Sequence, residues 1–157
     1  MSAPFVLEPG QRHPAVPPTD FGPFMRMTSA QTDGLMALRE ARLPPLTAGP
    51  NLHVHANEDE MFYVLGGVMT VQIGDELHEI ASGGLAWGAR GTAHAYANRA
   101  KEPLRLLIQL IPGGTEELFA EMGAYLQSVD GAPDEKDTAA IMARYGGTRI
   151  GPPISIP

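Results

Sequence analysis

Gly49-Pro-Asn-Leu-His53-Val-His55-Ala-Asn-Glu-Asp-Glu60-Met-Phe-Tyr-Val-Leu-Gly66-Gly67 is the stretch on which the reading of this chain turns. One residue separates the two histidines, and on a strand side chains two apart point to the same face. His53 and His55 therefore converge. A strand that leaves and returns through the short Ala56-Asp59 connection brings Glu60 back to the same point. Two imidazoles and a carboxylate on the concave side of a sheet are what a catalytic divalent metal needs. One more ligand is then expected downstream, and His94 is the candidate.

The composition supports a folded β protein. Apolar residues make up 43% of the 157 and charged residues 18%, enough to build one core. The 18 Gly and 15 Pro fall mostly between short apolar runs, which favours many strands joined by turns. A net charge of −7 argues against nucleic acid or an anionic membrane surface as a partner. With no cysteine in the chain, thiolate catalysis and sulfur-ligated metals are excluded, so a metal must sit on nitrogen and oxygen. The N-terminus lacks the basic region and apolar core of a signal peptide, and no apolar run reaches the ~20 residues of a membrane span. A cytoplasmic protein is the expectation.

Along the chain, residues 1–23 carry prolines at 4, 9, 14, 17, 18 and 23 and little periodicity. They suggest an extended arm lying on the surface or on a partner subunit. From Phe24 to about Ile111, apolar runs of strand length follow one another, separated by turn signals such as Thr32-Asp33-Gly34, Gly74-Asp75 and Ser82-Gly83-Gly84. Roughly nine short strands indicate an antiparallel sandwich or barrel over 24–112. After Gly114 the periodicity turns helical. Helices are expected over Thr115-Ser128, capped by Thr115, and over Asp134-Tyr145, capped by Asp134 and stopped by Gly146. Residues 113–157 are thus helices and an extended tail of the same domain.

Gly83-Gly-Leu-Ala-Trp-Gly-Ala-Arg-Gly91-Thr-Ala-His94-Ala-Tyr-Ala-Asn98 is the second informative segment, its glycines allowing the turns that deliver His94 onto a short strand. Together the two segments resemble the paired motifs of the cupin superfamily. The first has two histidines flanking one residue, then a glutamate, then a glycine; the second has spaced glycines, a histidine and, four residues on, an asparagine. The resemblance implies an all-β, double-stranded β-helix (jelly-roll) barrel whose four metal ligands are His53, His55, Glu60 and His94. Two turn positions depart from the pattern. Thr47 stands where a glycine usually precedes the first histidine by six residues, and Ala89 replaces the proline of the second motif.

Other polar groups carry less. His13 and His78 match nothing, Glu58 and Asp59 are expected to be solvated acids, and Asn98 a turn or hydrogen-bonding residue. Phe62 shares the face of Glu60 and Tyr96 that of His94. With Trp87, they are the candidate substrate-binding residues, ordinary barrel core being the competing role of Phe62 and Tyr96. No basic cluster is evident beside the ligands, which argues against a phosphorylated substrate.

Three imidazoles and one carboxylate leave one or two coordination positions open. The set suits Fe(II), Mn, Co, Ni or Zn, and the resemblance favours iron, because many small cupins of this pattern are dioxygenases of quercetinase-like type. The leading expectation is a dioxygenase acting on a small aromatic or enolic substrate, with Glu60 as ligand and proton acceptor. The alternatives are a non-redox metal cupin (isomerase, lyase or polyketide cyclase) and a non-catalytic small-molecule-binding cupin. The resemblance and the Pro-rich arm also imply a homodimer. Because ligand histidines must be neutral, metal affinity is expected to fall as pH drops through about 6.

Overall fold

A computed structural model describes residues 3–16 and 24–157. Eleven strands are found among the described residues: β1 (Phe24–Met27), β2 (Ala37–Leu43), β3 (Thr47–Ala48), β4 (Asn51–His55), β5 (Asp59–Gly66), β6 (Val68–Ile73), β7 (Glu76–Ala81), β8 (Leu85–Gly88), β9 (His94–Asn98), β10 (Leu104–Ile111) and β11 (Gly147–Pro153). They form two antiparallel sheets, one ordered β1-β2-β10-β5-β8 and the other β11-β4-β9-β6-β7, with β3 pairing β9 at the side. This is a jelly-roll barrel. Two helices, α1 (Glu116–Ser128) and α2 (Glu135–Arg144), precede the last strand. No helix among the described residues is long and apolar enough to cross a membrane.

The inward face of each strand explains where the core sits. On β5, Glu60, Phe62 and Val64 are buried while their neighbours are not, the period of two that a half-buried strand requires. On β10, Leu104, Leu106, Ile108 and Leu110 do the same, and the register pairs Val64 with Leu106, Phe62 with Ile108 and Glu60 with Leu110. Phe62, Val64, Met69, Val71, Leu106 and Ile108 fill the barrel. The apolar ladder thus ends at Glu60, and the interior turns polar at that end. Arg105, Leu107 and Gln109 lie on the opposite face of β10, away from the interior.

Two strands are absent from the sequence reading, β3 and β11. The first has two residues, too few for a period, and the second, Gly-Thr-Arg-Ile-Gly-Pro-Pro, reads as turn chemistry. Its pairing with β4 (Gly147 with His55, Arg149 with His53) makes it a strand. The tail beyond packs Ile154 and Ile156 against Ala95, Ala97 and Leu52. Every residue of β9 is therefore buried, on both faces. Of the N-terminal arm, Pro17, Pro18 and Pro23 lie outside the described residues; Val16 packs on Met25, Ala37 and Leu110 of its own chain. Asn98 is a hydrogen-bonding residue, its Nδ2 donating to the carbonyls of Leu43, Pro44 and Glu102.

Asp134 caps α2 by accepting from Lys136 N at 2.7 Å. Thr115 does not cap α1: its backbone is already helical and its side chain makes no capping bond. The buried Glu116 carboxylate takes up nearby backbone donors instead, accepting from Gly114 N at 2.5 Å and from Ser29 N at 2.6 Å. Burial pushes its pKa up, but the hydrogen bonds from Ser29 and Gly114 outweigh that and hold it below the ordinary glutamate value. Its stabilisation is therefore complete above that ordinary value and is lost as pH falls through the lowered one. Glu116→Gln is expected to destabilise the fold by ~1–3 kcal/mol at neutral pH, with the difference from the parent shrinking in acid. Denaturant unfolding at several pH values checks this; a difference independent of pH refutes it.

Candidate metal centre

The antiparallel register brings the four candidate ligands together. His53 and His55 lie on the inward face of β4, His53 sits opposite His94 of β9, and Glu60 enters from β5 in the facing sheet. All four are buried, and one ligand atom from each lies within 4.8 Å of all the others. The Nε2 atoms of His53 and His55 are 3.1 Å apart. Glu60 Oε2 stands 3.1 Å from His94 Nε2 and 3.3 Å from His55 Nε2. Donors about 2.1 Å from one ion, at angles between square and tetrahedral, are spaced about 3.0–3.4 Å. The three shortest contacts of the cluster have that spacing.

The outer nitrogen of each ring is engaged. His53 Nδ1 is 2.7 Å from the carbonyl of Asn51 and His94 Nδ1 is 2.9 Å from that of Thr92. A carbonyl only accepts, so the hydrogen sits on Nδ1 and, in the neutral ring, the Nε2 lone pair points into the cluster. His55 Nδ1 meets Oε1 of Glu58 at 2.6 Å as a charge contact, and neither atom has a hydrogen-bond partner among the described residues. Glu58 is thus not a solvated acid but a buried one, because the tight turn after β4 folds it back onto His55. Asp59 is tied to Arg90: it accepts from the backbone N at 2.8 Å and from Nη2 at 2.9 Å, while Gly91 N donates to His55 O. These bonds pin the loop leading to His94. Gly88 lies against that ring, where a Cβ would come within 3.0 Å of Nδ1. Gly49 takes over the close approach that Thr47 cannot give, since a Cβ there would overlap the carbonyl oxygen of Tyr96.

Electrostatics separate the ligands. Burial drives His53 down to about 4, which keeps it neutral. Burial also lowers His55, but the Glu58 and Glu60 carboxylates outweigh it and raise the ring to about 9. Glu60 is fully buried, which favours its neutral form; the Arg39 guanidinium and the hydrogen bonds of His55 and His94 hold it well below the carboxylate range all the same. Arg39 Nη2 reaches Glu60 Oε1 at 2.5 Å, leaving Oε2 to the histidines.

A cavity of about 590 Å³ opens beside the cluster, with His53 and His55 on its floor. Its size suits a small organic molecule. Tyr96 lines it, whereas Phe62 lies wholly buried behind His94, their ring centroids 5.8 Å apart. Trp87 stands away from it, 46% exposed on β8 and paired with Met61, whose side chain points out of the barrel as the period of two requires. The helices supply further walls: Leu118, Phe119 and Met122 of α1 and Met142 of α2. Arg39 and Arg42 also line the cavity, so basic residues do stand beside the site. β2 carries no motif, and only its pairing with β10 puts these arginines there.

Residues 39–109 match a family model described as Cupin domain. No curated protein matches the sequence. Among solved structures, TT1209 from Thermus thermophilus is similar at TM-score 0.53 and 23% identity, covering 69% of this chain and 90% of that one. An uncharacterized conserved protein with a double-stranded β-helix domain from Klebsiella pneumoniae gives 0.52 and 19%, covering 63% and 84%. KdgF from Halomonas sp. gives 0.50 and 15%, covering 54% and 74%. At these identities the likeness shows the fold.

Two outcomes are expected of the cluster. His53→Ala, His55→Ala and His94→Ala each lower divalent-metal occupancy by more than the roughly 10- to 100-fold usual for outer partners, whereas His78→Ala, on the exposed β7, leaves it unchanged. Elemental analysis decides, and equal occupancy in all variants removes the assignment. Metal must also displace the proton on His55, so the pH window lies higher than an unperturbed histidine implies. Affinity is expected to fall steadily as pH drops below about 9. Glu58→Gln, which removes one of the carboxylates that raise His55, shifts that window downward. Calorimetry in buffers of different ionisation enthalpy counts the released proton, and no proton release at neutral pH overturns the account.

Proposed function

With residues 39–109 forming a cupin domain, we propose that this chain is a metal-dependent enzyme, a dioxygenase of quercetinase-like type acting on a small aromatic or enolic substrate. The observation that carries the reading is the cavity floored by two of the four clustered ligands and walled largely by apolar side chains. His53, His55, His94 and Glu60 Oε2 would hold the ion, which when bound supplies Lewis acidity and, as iron, reactivity toward dioxygen.

The protein's own groups divide the remaining work. Leu118, Phe119, Met122 and Met142 exclude water and offer apolar contact to the substrate body. Glu60 remains a carboxylate across the working pH range and so is present as a base. Because its pKa is held low, it is a weak one and accepts a proton only from an acidic hydroxyl. An enol or phenol is such a group, which fits the substrate class. Oε2 is the atom that receives the proton, since Oε1 is occupied by Arg39.

The test is elemental analysis of the purified protein followed by oxygen consumption with a flavonol and diketone panel. Iron together with substrate-dependent oxygen uptake, lost in His94→Ala, is the expected result. Bound zinc with turnover of cyclisation or isomerisation substrates and no oxygen uptake would replace the dioxygenase by a Lewis-acid cupin. Metal without any turnover would leave a binding module.

A further inference from the structure

The charge of the cavity is opposite to that of the protein. The chain carries a formal net charge of −7, yet the cavity lining contains Arg39 and Arg42 and no aspartate or glutamate. Arg42 stands exposed with its head group 3.8 Å from Glu40, a carboxylate that Arg26 at 2.8 Å and Arg105 at 3.8 Å also share. Arg26 and Arg105 balance that carboxylate on the outward face of the sheet, so the Arg42 charge at the cavity mouth is not cancelled by Glu40 alone.

Arg39 lies deeper and is 6% exposed. One of its terminal nitrogens serves Glu60. The Phe119 ring covers a face of the guanidinium, its centroid 4.4 Å from Cζ. Stacking occupies a face and leaves the in-plane N–H edges free, of which a guanidinium has five. Among these, Nε is buried and has no hydrogen-bond partner among the described residues. A buried, charged donor without an acceptor is costly, and an acceptor carrying negative charge relieves that cost best. The cavity lining is mostly apolar, Leu43, Leu118 and Met142 among it, and holds no carboxylate.

We infer that the cavity takes an apolar organic anion, and that Arg39 donates to its oxyanion, a carboxylate or an enolate, from the edge that Phe119 leaves open. Arg42 at the mouth attracts the anion without fixing it, since an exposed charge steers more than it binds. The inference rests on reading this cavity as the substrate site and names the class of substrate it accepts.

Binding of matched probes to the full chain tests it, by calorimetry on the protein as purified and after dialysis against a chelator. Naphthoate is compared with naphthamide, and the hydroxynaphthoquinone anion with its neutral methoxy ether. In the chelated protein, at least one anion is expected to bind roughly tenfold or more tightly than its neutral partner, and the pair showing the preference identifies carboxylate or enolate as the recognised group. Arg39→Gln abolishes the preference, while Arg42→Gln only weakens it and reduces its salt dependence.

Arg39→Gln also strips Glu60 of its buried partner, so the double variant Arg39→Gln/Glu60→Gln, which keeps a neutral hydrogen-bonding pair, is measured beside it. Equal affinity for anion and neutral analogue in the parent protein, no measurable binding of any probe, or a preference that survives in the folded double variant each overturns the inference. Because binding is read with the metal removed, failure of the oxygen-uptake experiment does not affect this result, nor this one that.

Discussion

A fully buried carboxylate organises this molecule. Glu60 sits at the end of an apolar strand face, where an isolated charge is strongly unfavourable. It is tolerated because both oxygens are engaged, Oε1 by Arg39 and Oε2 by His55 and His94. That division has consequences on either side. Toward the histidines it leaves one oxygen in a cluster of three imidazoles. Toward the cavity it holds a guanidinium in place at the wall. Removing one partner of such a pair leaves an uncompensated charge, so the cluster and the cavity wall are energetically one unit.

The positions of the ligands follow from sheet register and from loops that hydrogen bonds hold. His53 and His94 face each other across neighbouring strands, and Gly88 leaves the space His94 occupies. Asp59 clamps Arg90, fixing the loop between β8 and β9 against the start of β5. The outer nitrogens of His53 and His94 each face a backbone carbonyl and that of His55 faces the Glu58 carboxylate, contacts that orient the rings without help from an ion. The site is thus built by the protein itself, with the pleat aiming the side chains and buried acceptors setting the tautomers.

The helices change the meaning of the barrel. Helix α1 starts at a Glu116 carboxylate that joins it to the turn before β2, and its apolar face then lies over the mouth of the barrel beside the His/Glu cluster. Phe119 reaches Arg39 directly. The same face that buries Leu118 and Met122 thereby completes a cavity whose other walls are strands. Helix packing and closure of the cavity are achieved by one set of contacts.

How much of this is legible without coordinates differs by type of information. His53-x-His55, Glu60 and the glycine-spaced run to His94 are local patterns, and the period of two together with turn chemistry carries them to a barrel and a four-ligand cluster. Val68–Ile73, His94–Asn98 and Leu104–Ile111 are strands with the bounds their apolar runs suggest, the first flanked by Gly67 and Gly74 and the last by Pro103 and Pro112. Arg39, Glu58, Phe119 and the pairing of β11 with β4 carry no local signature; an arginine in an amphipathic strand and an acid in a turn both read as surface. Trp87 illustrates the converse, a large aromatic in a ligand-bearing motif that points out of the barrel. By itself the sequence determined the barrel class and which histidines and glutamate cluster, because strand period and turn glycines act over a few residues. Only the tertiary structure decided what surrounds the cluster: the partner of Glu60, the acid behind His55 and the helical wall. Arg39 meets Glu60 and Phe119 from distant parts of the chain, and Glu58 is buried where the turn after β4 folds it onto His55. Burial alone turns these groups from surface charges into a site.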